Sequence, residues 1–204
     1  MRQRLAKIGL VSLALLSAGV ARAQEVTPAD RDRAMQYLES TKKNIVEATR
    51  GLSPAQWNFK AGPDRWSIAE VMEHIAAAED FIRGMIIEKA MKGGPPEPGR
   101  DLKKIDDGVV AMITDRSHKA QSPEPLKPTN RFASPEGSVK HFLESRAQTE
   151  EFLNNTPDLR QHVTDSPLGV KLDGYEWVLF LTAHSERHLK QIQEVKSDPN
   201  FPKA

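Results

Sequence analysis

A capping residue stands at the head of each of four long stretches whose apolar residues recur at helical spacing. That punctuation restricts the chain to an all-α fold. Thr27, with Pro28 at the first helical position, opens a helix to about Thr49, and Gly51 stops it. Ser67-Ile-Ala-Glu70 is a capping-box pattern, and Ile68, Val71, Met72, Ile75, Ile82 and Ile86 follow it at helical spacing. This second helix reaches about Met91, where Gly93-Gly94-Pro95-Pro96 ends it. Ser134-Pro135-Glu136 begins a third helix that runs to Asn155, just short of Pro157. Asp173-Gly-Tyr-Glu176 begins a fourth, running to about Val195.

Residues 92–133 form a long connection rich in proline and charge. Antiparallel neighbours need only short loops, whereas parallel neighbours need a crossover as long as a helix. The length therefore predicts that the second and third long helices run the same way. A short extra helix over about Leu102–His118 is expected inside the connection. A disordered connection is the alternative, because structureless loops of this length are uncommon in compact domains. No repeat, phosphate loop or strand alternation is legible. The expected architecture is an all-α four-helix bundle.

The first 23 residues have the form of an export signal. Arg2, Arg4 and Lys7 make a basic start, Ile8 to Val20 is apolar, and Ala21-Arg22-Ala23 is a small-x-small cleavage pattern. An uncleaved anchor is the alternative. Cleavage before Gln24 leaves a single domain over residues 24–204, exported to the periplasm or secreted, with no membrane attachment. It removes four positive charges and takes the formal charge from +1 to −3. Nothing basic remains that favours nucleic acid. The chain has no cysteine, which excludes disulfides, lipid attachment at a cysteine, thiol nucleophiles and thiolate ligands. Any metal must be held by His, Asp or Glu.

His184 and His188 are four residues apart, on the stripe that also carries Trp177, Phe180, Leu181, Ile192 and Val195. An i, i+4 pair on a helix points both rings the same way. Two imidazoles on a face destined for burial need partners, and a divalent metal is one candidate. His74 sits near the border of the second helix's apolar face. Taken alone it also fits a structural role, donating to a carbonyl or water. His118, His141 and His162 read as surface residues. Ser185 stands where a zincin has its glutamate, so that general base is missing. Glu186 reads as solvated or as a salt partner of Lys190, and Glu70 as the acid of the capping box. Glu73 and Asp80 fit either outer-shell partners or solvated helix faces. Trp66 and Trp177 read as core anchors, and Tyr175 is a weak candidate for lining a pocket.

The strings Leu52-Ser53-Pro54-Ala55-Gln56-Trp57, Asp64-Arg65-Trp66-Ser67-Ile68-Ala69-Glu70-Val71-Met72-Glu73-His74-Ile75 and Ala183-His184-Ser185-Glu186-Arg187-His188-Leu189-Lys190-Gln191-Ile192 together resemble the DinB-like (YfiT-like) metalloenzyme superfamily. The resemblance spans about Pro28 to Val195. It implies a four-helix bundle of up-down-down-up topology. It also implies a divalent metal bound by His74, His184 and His188. Zinc and nickel both suit three imidazoles, and iron and manganese are further candidates. Members include thiol-dependent transferases and isomerases and metal-dependent hydrolases. The expected function is an exported metal-dependent hydrolase or transferase acting on a small molecule. A non-catalytic exported metal- or ligand-binding bundle is the alternative. A homodimer through an apolar helix face stays open, although no stripe is left over that demands one.

Overall fold

A computed structural model describes residues 25–117 and 121–203. The expected export signal, over residues 1–23, and His118 lie outside the described residues. The helices are α1 (Pro28–Thr49), α2 (Pro54–Asn58), α3 (Ile68–Glu88), α4 (Leu102–Thr114), α5 (Pro135–Asn155) and α6 (Gly174–Lys196). The four long ones start where the capping residues place them. Thr27, Ser67 and Asp173 each close a full capping box, with Asp30, Glu70 and Glu176 reaching back to the cap's own N–H. The Ser134 hydroxyl accepts from the Gly137 N–H. These reciprocal bonds satisfy N–H groups that a helix start leaves without partners.

Directions follow from which residues meet. Arg83 of α3 donates to the Ser145 carbonyl of α5, and Asp80 meets His141. Position rises together on both helices, so α3 and α5 are parallel. Tyr37 meets Glu186 and Tyr175 meets the Asp30 carbonyl, which makes α1 and α6 parallel. His74 faces His184 while Arg65 reaches Glu194, so α3 and α6 are antiparallel. The bundle is therefore up-down-down-up over α1, α3, α5 and α6. The crossover between α3 and α5 holds α4 and a 3₁₀ turn, Glu124–Leu126.

Three features differ from the sequence reading. The connecting helix stops at Thr114 rather than continuing to His118. The five-residue helix α2 has its own capping box, Ser53 with Gln56, and buries Trp57. A two-stranded antiparallel hairpin precedes α6: β1 (Val163–Asp165) pairs with β2 (Lys171–Asp173). Strands of three residues are too short to display alternation, so the pattern had nothing to show.

Two apolar clusters fill the bundle. One contains Leu38, Ile82, Ile86, Leu153 and Tyr175 through Leu181 with few gaps, and the other Ile45, Ile68, Met72, Phe142, Leu189 and Ile192. Where they meet, a polar layer joins all four long helices. Its centre is Arg146 of α5, fully buried. Arg146 Nε and Nη2 donate to the Glu79 carboxylate at 2.7 and 2.8 Å. Nη1 donates to the Leu38 carbonyl and the Thr41 hydroxyl, both at 2.8 Å. Nη2 also donates to Ser185 Oγ at 2.9 Å. Every guanidinium N–H thus has an acceptor, which is what allows a charge to persist at such depth.

Candidate metal centre

His74 lies on α3 two turns after its cap, and His184 and His188 lie on the facing stretch of α6. The antiparallel packing of these helices brings the three rings together. Ring centroids are 5.0 Å apart for His74 and His184, 4.4 Å for His74 and His188, and 4.5 Å for His184 and His188. One nitrogen from each ring lies within 4.8 Å of the others. Trp66 closes one side, its ring centroid 5.0 Å from that of His74.

Hydrogen bonds set the tautomers. His74 Nδ1 lies 2.9 Å from the Leu126 carbonyl oxygen. A carbonyl only accepts, so Nδ1 carries the hydrogen and Nε2 of the neutral ring keeps its lone pair. His188 Nδ1 meets the Gln191 side-chain oxygen at 2.9 Å, with the same result. His74 Nε2 then lies 3.2 Å from His184 Nε2. A hydrogen on His184 Nε2 makes this contact a hydrogen bond, and a cation between the two nitrogens would take a lone pair from each. Ligand nitrogens about 2.0–2.1 Å from a tetrahedral ion are roughly 3.3 Å apart, so the observed pair already has the spacing of two ligands. The donor set, three imidazoles of which two have ring orientations held from behind, fits a divalent ion.

Burial favours the neutral rings. It pushes the His184 imidazole down to about 3, aided by the charges of His74 and Arg187. Burial and the two neighbouring imidazoles hold His188 well below the ordinary value. His74 is also lowered, by burial first, with its bond to the Leu126 carbonyl opposing the shift. Neutral imidazole is the form that ligates metal.

A pH prediction follows for protein treated with a chelator. These folded-state values lie below the unfolded value of about 6.5. As pH falls through that value the unfolded chain takes up protons that the folded site refuses, so stability is lost on the acid side. Each group contributes up to about 1.4 kcal/mol per pH unit. Urea unfolding between pH 7 and 4 should therefore fall more steeply for the native chain than for a His184→Ala/His188→Ala variant. Parallel curves would refute the assignment.

The remaining candidates have other duties. Glu70 closes the capping box, bonding the Ser67 N–H at 2.8 Å. Glu186 pairs with Lys190 at 2.9 Å and accepts from the Tyr37 hydroxyl at 2.5 Å. Glu73 accepts from the backbone N–H groups of Thr129, Asn130 and Arg131. Asp80 accepts from Arg83 and Ser145 and pairs with His141. Trp177 is buried in the core, as expected. Tyr175 is buried too: its hydroxyl donates to the Asp30 carbonyl and its ring lies under the Arg160 guanidinium. His162 keeps partial exposure beside the Gly93 carbonyl. His141 is not a simple surface residue. It stacks on Phe132 with centroids 4.3 Å apart and meets Asp80 at 2.5 Å.

Ser185 explains the missing zincin glutamate. Its hydroxyl is buried against Arg146 and points into the polar layer, away from the imidazoles. Two contributors escaped the sequence reading. Gln191 is three residues after His188, a spacing that predicts contact on a helix. Leu126 contributes only a carbonyl from a turn, and no side-chain pattern signals that.

The DinB superfamily sequence model matches residues 37–192. YuaE of Bacillus subtilis (strain 168), an uncharacterized protein, is 27% identical over 163 residues, covering 79% of this chain and 96% of YuaE. The structure of YfiT from Bacillus subtilis superposes with a TM-score of 0.55 at 15% identity, over 87% of this chain and 91% of YfiT. YfiT is described as a probable metal-dependent hydrolase with an unusual four-helix bundle topology. The matched segment runs from within α1 to the last turns of α6 and contains all three converging histidines. With a family model spanning three-quarters of its length, the chain belongs to the DinB superfamily.

Proposed function

We propose that this protein binds a divalent metal ion, zinc or nickel, through His74, His184 and His188, and that it is a metal-dependent hydrolase or transferase acting on a small molecule. The observation that carries this reading is the convergence of three imidazoles with nitrogens within 4.8 Å of one another, two of the rings held from the far side by Nδ1 hydrogen bonds. YfiT, which shares the bundle, is described in similar terms. Three protein ligands are the pattern of catalytic rather than structural sites. Among the described residues no Asp, Glu or further His joins the three. When bound, the ion supplies Lewis acidity toward a carbonyl group or a water molecule. The chain's own part is orientation. The Leu126 carbonyl and the Gln191 amide hold two ligand rings by their Nδ1–H groups, which fixes the tautomer and increases the basicity of the opposite nitrogen. Trp66 shields the His74 ring from one side.

The test is elemental analysis of protein purified without a chelator or a histidine tag. It is followed by assays of ester, amide and thiol-adduct substrates before and after metal removal. One equivalent of metal and metal-restored turnover are expected. Bound metal with no turnover across the whole panel would favour the non-catalytic alternative. A Gln191→Leu variant should bind zinc about 10–100-fold more weakly, the usual cost of losing an outer hydrogen-bond partner. Competition against a chromogenic chelator measures it.

A further inference from the structure

Glu73, the residue before a candidate ligand, has a buried carboxylate turned away from the imidazoles and into the crossover. It accepts from the N–H groups of Thr129 at 2.7 Å, Asn130 at 2.8 Å and Arg131 at 3.2 Å, and from Arg131 Nε at 3.1 Å. The same Arg131 guanidinium donates to the Pro125 carbonyl at 3.0 Å and the Lys127 carbonyl at 2.7 Å. Those two peptide groups flank Leu126 on either side. The Leu126 carbonyl between them is left to His74 Nδ1, at 2.9 Å. The nearest other partner of that nitrogen is the Ser122 hydroxyl at 3.5 Å, too far to replace the carbonyl.

We propose that Glu73 and Arg131 form a clamp that positions the metal centre, holding the Glu124–Leu126 turn so that its carbonyl fixes the orientation and tautomer of His74. The reasoning is geometric. One helix carries both the ligand and the anchor of the turn that orients it. A helix keeps residues 73 and 74 in constant relation, so the clamp ties the turn to the ring it serves. A carboxylate that accepts several N–H bonds is well suited to anchor a turn, because charge-assisted bonds are the stronger kind. The crossover is then a working wall of the site and not only a connection between parallel helices. This inference deepens the proposed function and rests on its assignment of His74 as a ligand.

The experiment uses the full chain with Glu73→Gln. The glutamine oxygen still accepts, but its NH₂ faces the backbone N–H groups and cannot. Two readouts separate positioning from mere stability. The first is the ¹⁵N NMR signature of His74 in metal-free protein, expected to pass from one Nδ1–H tautomer to a mixture. The second is the affinity for Zn²⁺ alone, expected to fall about 10-fold or more, as when an outer partner is lost. Leu153→Ala, a truncation on α5, which carries none of the clamp residues, is the control for destabilisation and should leave both readouts unchanged. If Glu73→Gln fails to fold, Arg131→Met removes the bonds to Pro125 and Lys127 and is read in the same way. A variant that melts earlier yet keeps the single Nδ1–H tautomer and native zinc affinity would overturn the proposal. The tautomer is read without metal, so failure of the native chain to bind zinc would sink the proposed function and leave this test able to decide the clamp.

Discussion

Glu79→Ala should destabilise the protein by about 3–5 kcal/mol, the usual cost of removing one partner from a buried ion pair. That is a large part of the roughly 5–15 kcal/mol that holds a typical domain together. The reason is the charge left behind. Arg146 is fully buried and gives two of its N–H bonds to Glu79. Without the carboxylate the guanidinium keeps only neutral acceptors, the Leu38 carbonyl and the Thr41 and Ser185 hydroxyls. Thr149 Oγ1 also loses its bond to Glu79, at 3.0 Å. Replacing both charges together, Arg146→Met with Glu79→Leu, should recover most of the loss or exceed the native stability, because desolvation opposes a buried pair from the outset. Urea unfolding of the two variants measures the difference. A single variant within about 1 kcal/mol of the native chain would mean that water reaches the layer.

The double variant His184→Ala/His188→Ala should lose tight metal binding while remaining folded. Two of three ligands are gone, so affinity should fall by more than the roughly 10–100-fold that follows loss of an outer-shell partner. The fold should survive because the α6 residues that pack the core, Trp177 through Leu181 and Leu189, Ile192 and Val195, are untouched. Two imidazoles held neutral in a buried place add little that alanine cannot replace, apart from the space they fill. Metal content by mass spectrometry and thermal unfolding by circular dichroism test the two halves of the prediction separately. Loss of both metal and cooperative unfolding would move the ion from function to folding.

Legibility from sequence followed the range of the forces involved. The helix starts were readable because a cap acts within four residues. Thr27, Ser67, Ser134 and Asp173 all cap as their neighbours predicted. The pairing of His184 with His188 was readable because helical periodicity sets which side chains share a face. The parallel course of α3 and α5 was readable from the length of residues 92–133, since a chain must physically cover that distance. The hairpin was missed because its strands are three residues long. His141 keeps the partial exposure that its place off the apolar stripe predicted, but nothing local announced Asp80 or Phe132 as neighbours.

Other features had no local signal. Arg146 resembles any charged residue on an amphipathic helix, yet it is the most enclosed charge among the described residues of the polar layer. Its environment is assembled from α1, α3, α5 and α6, whose positions are decided only when the bundle packs. The same holds for Glu73, whose partners are backbone N–H groups 56 to 58 residues away.

The sequence by itself determined the helices, their caps, the parallel pair and the shared face of His184 and His188, because these depend on contacts within a turn or on chain length, while His74 was named as their partner only through the family resemblance. The tertiary structure alone decided how closely His74 approaches them, that Leu126 orients it, and that a buried Arg146–Glu79 pair crosses the core. Those outcomes depend on how packed helices rotate and slide against one another, and that is set by the sum of many weak contacts between distant residues.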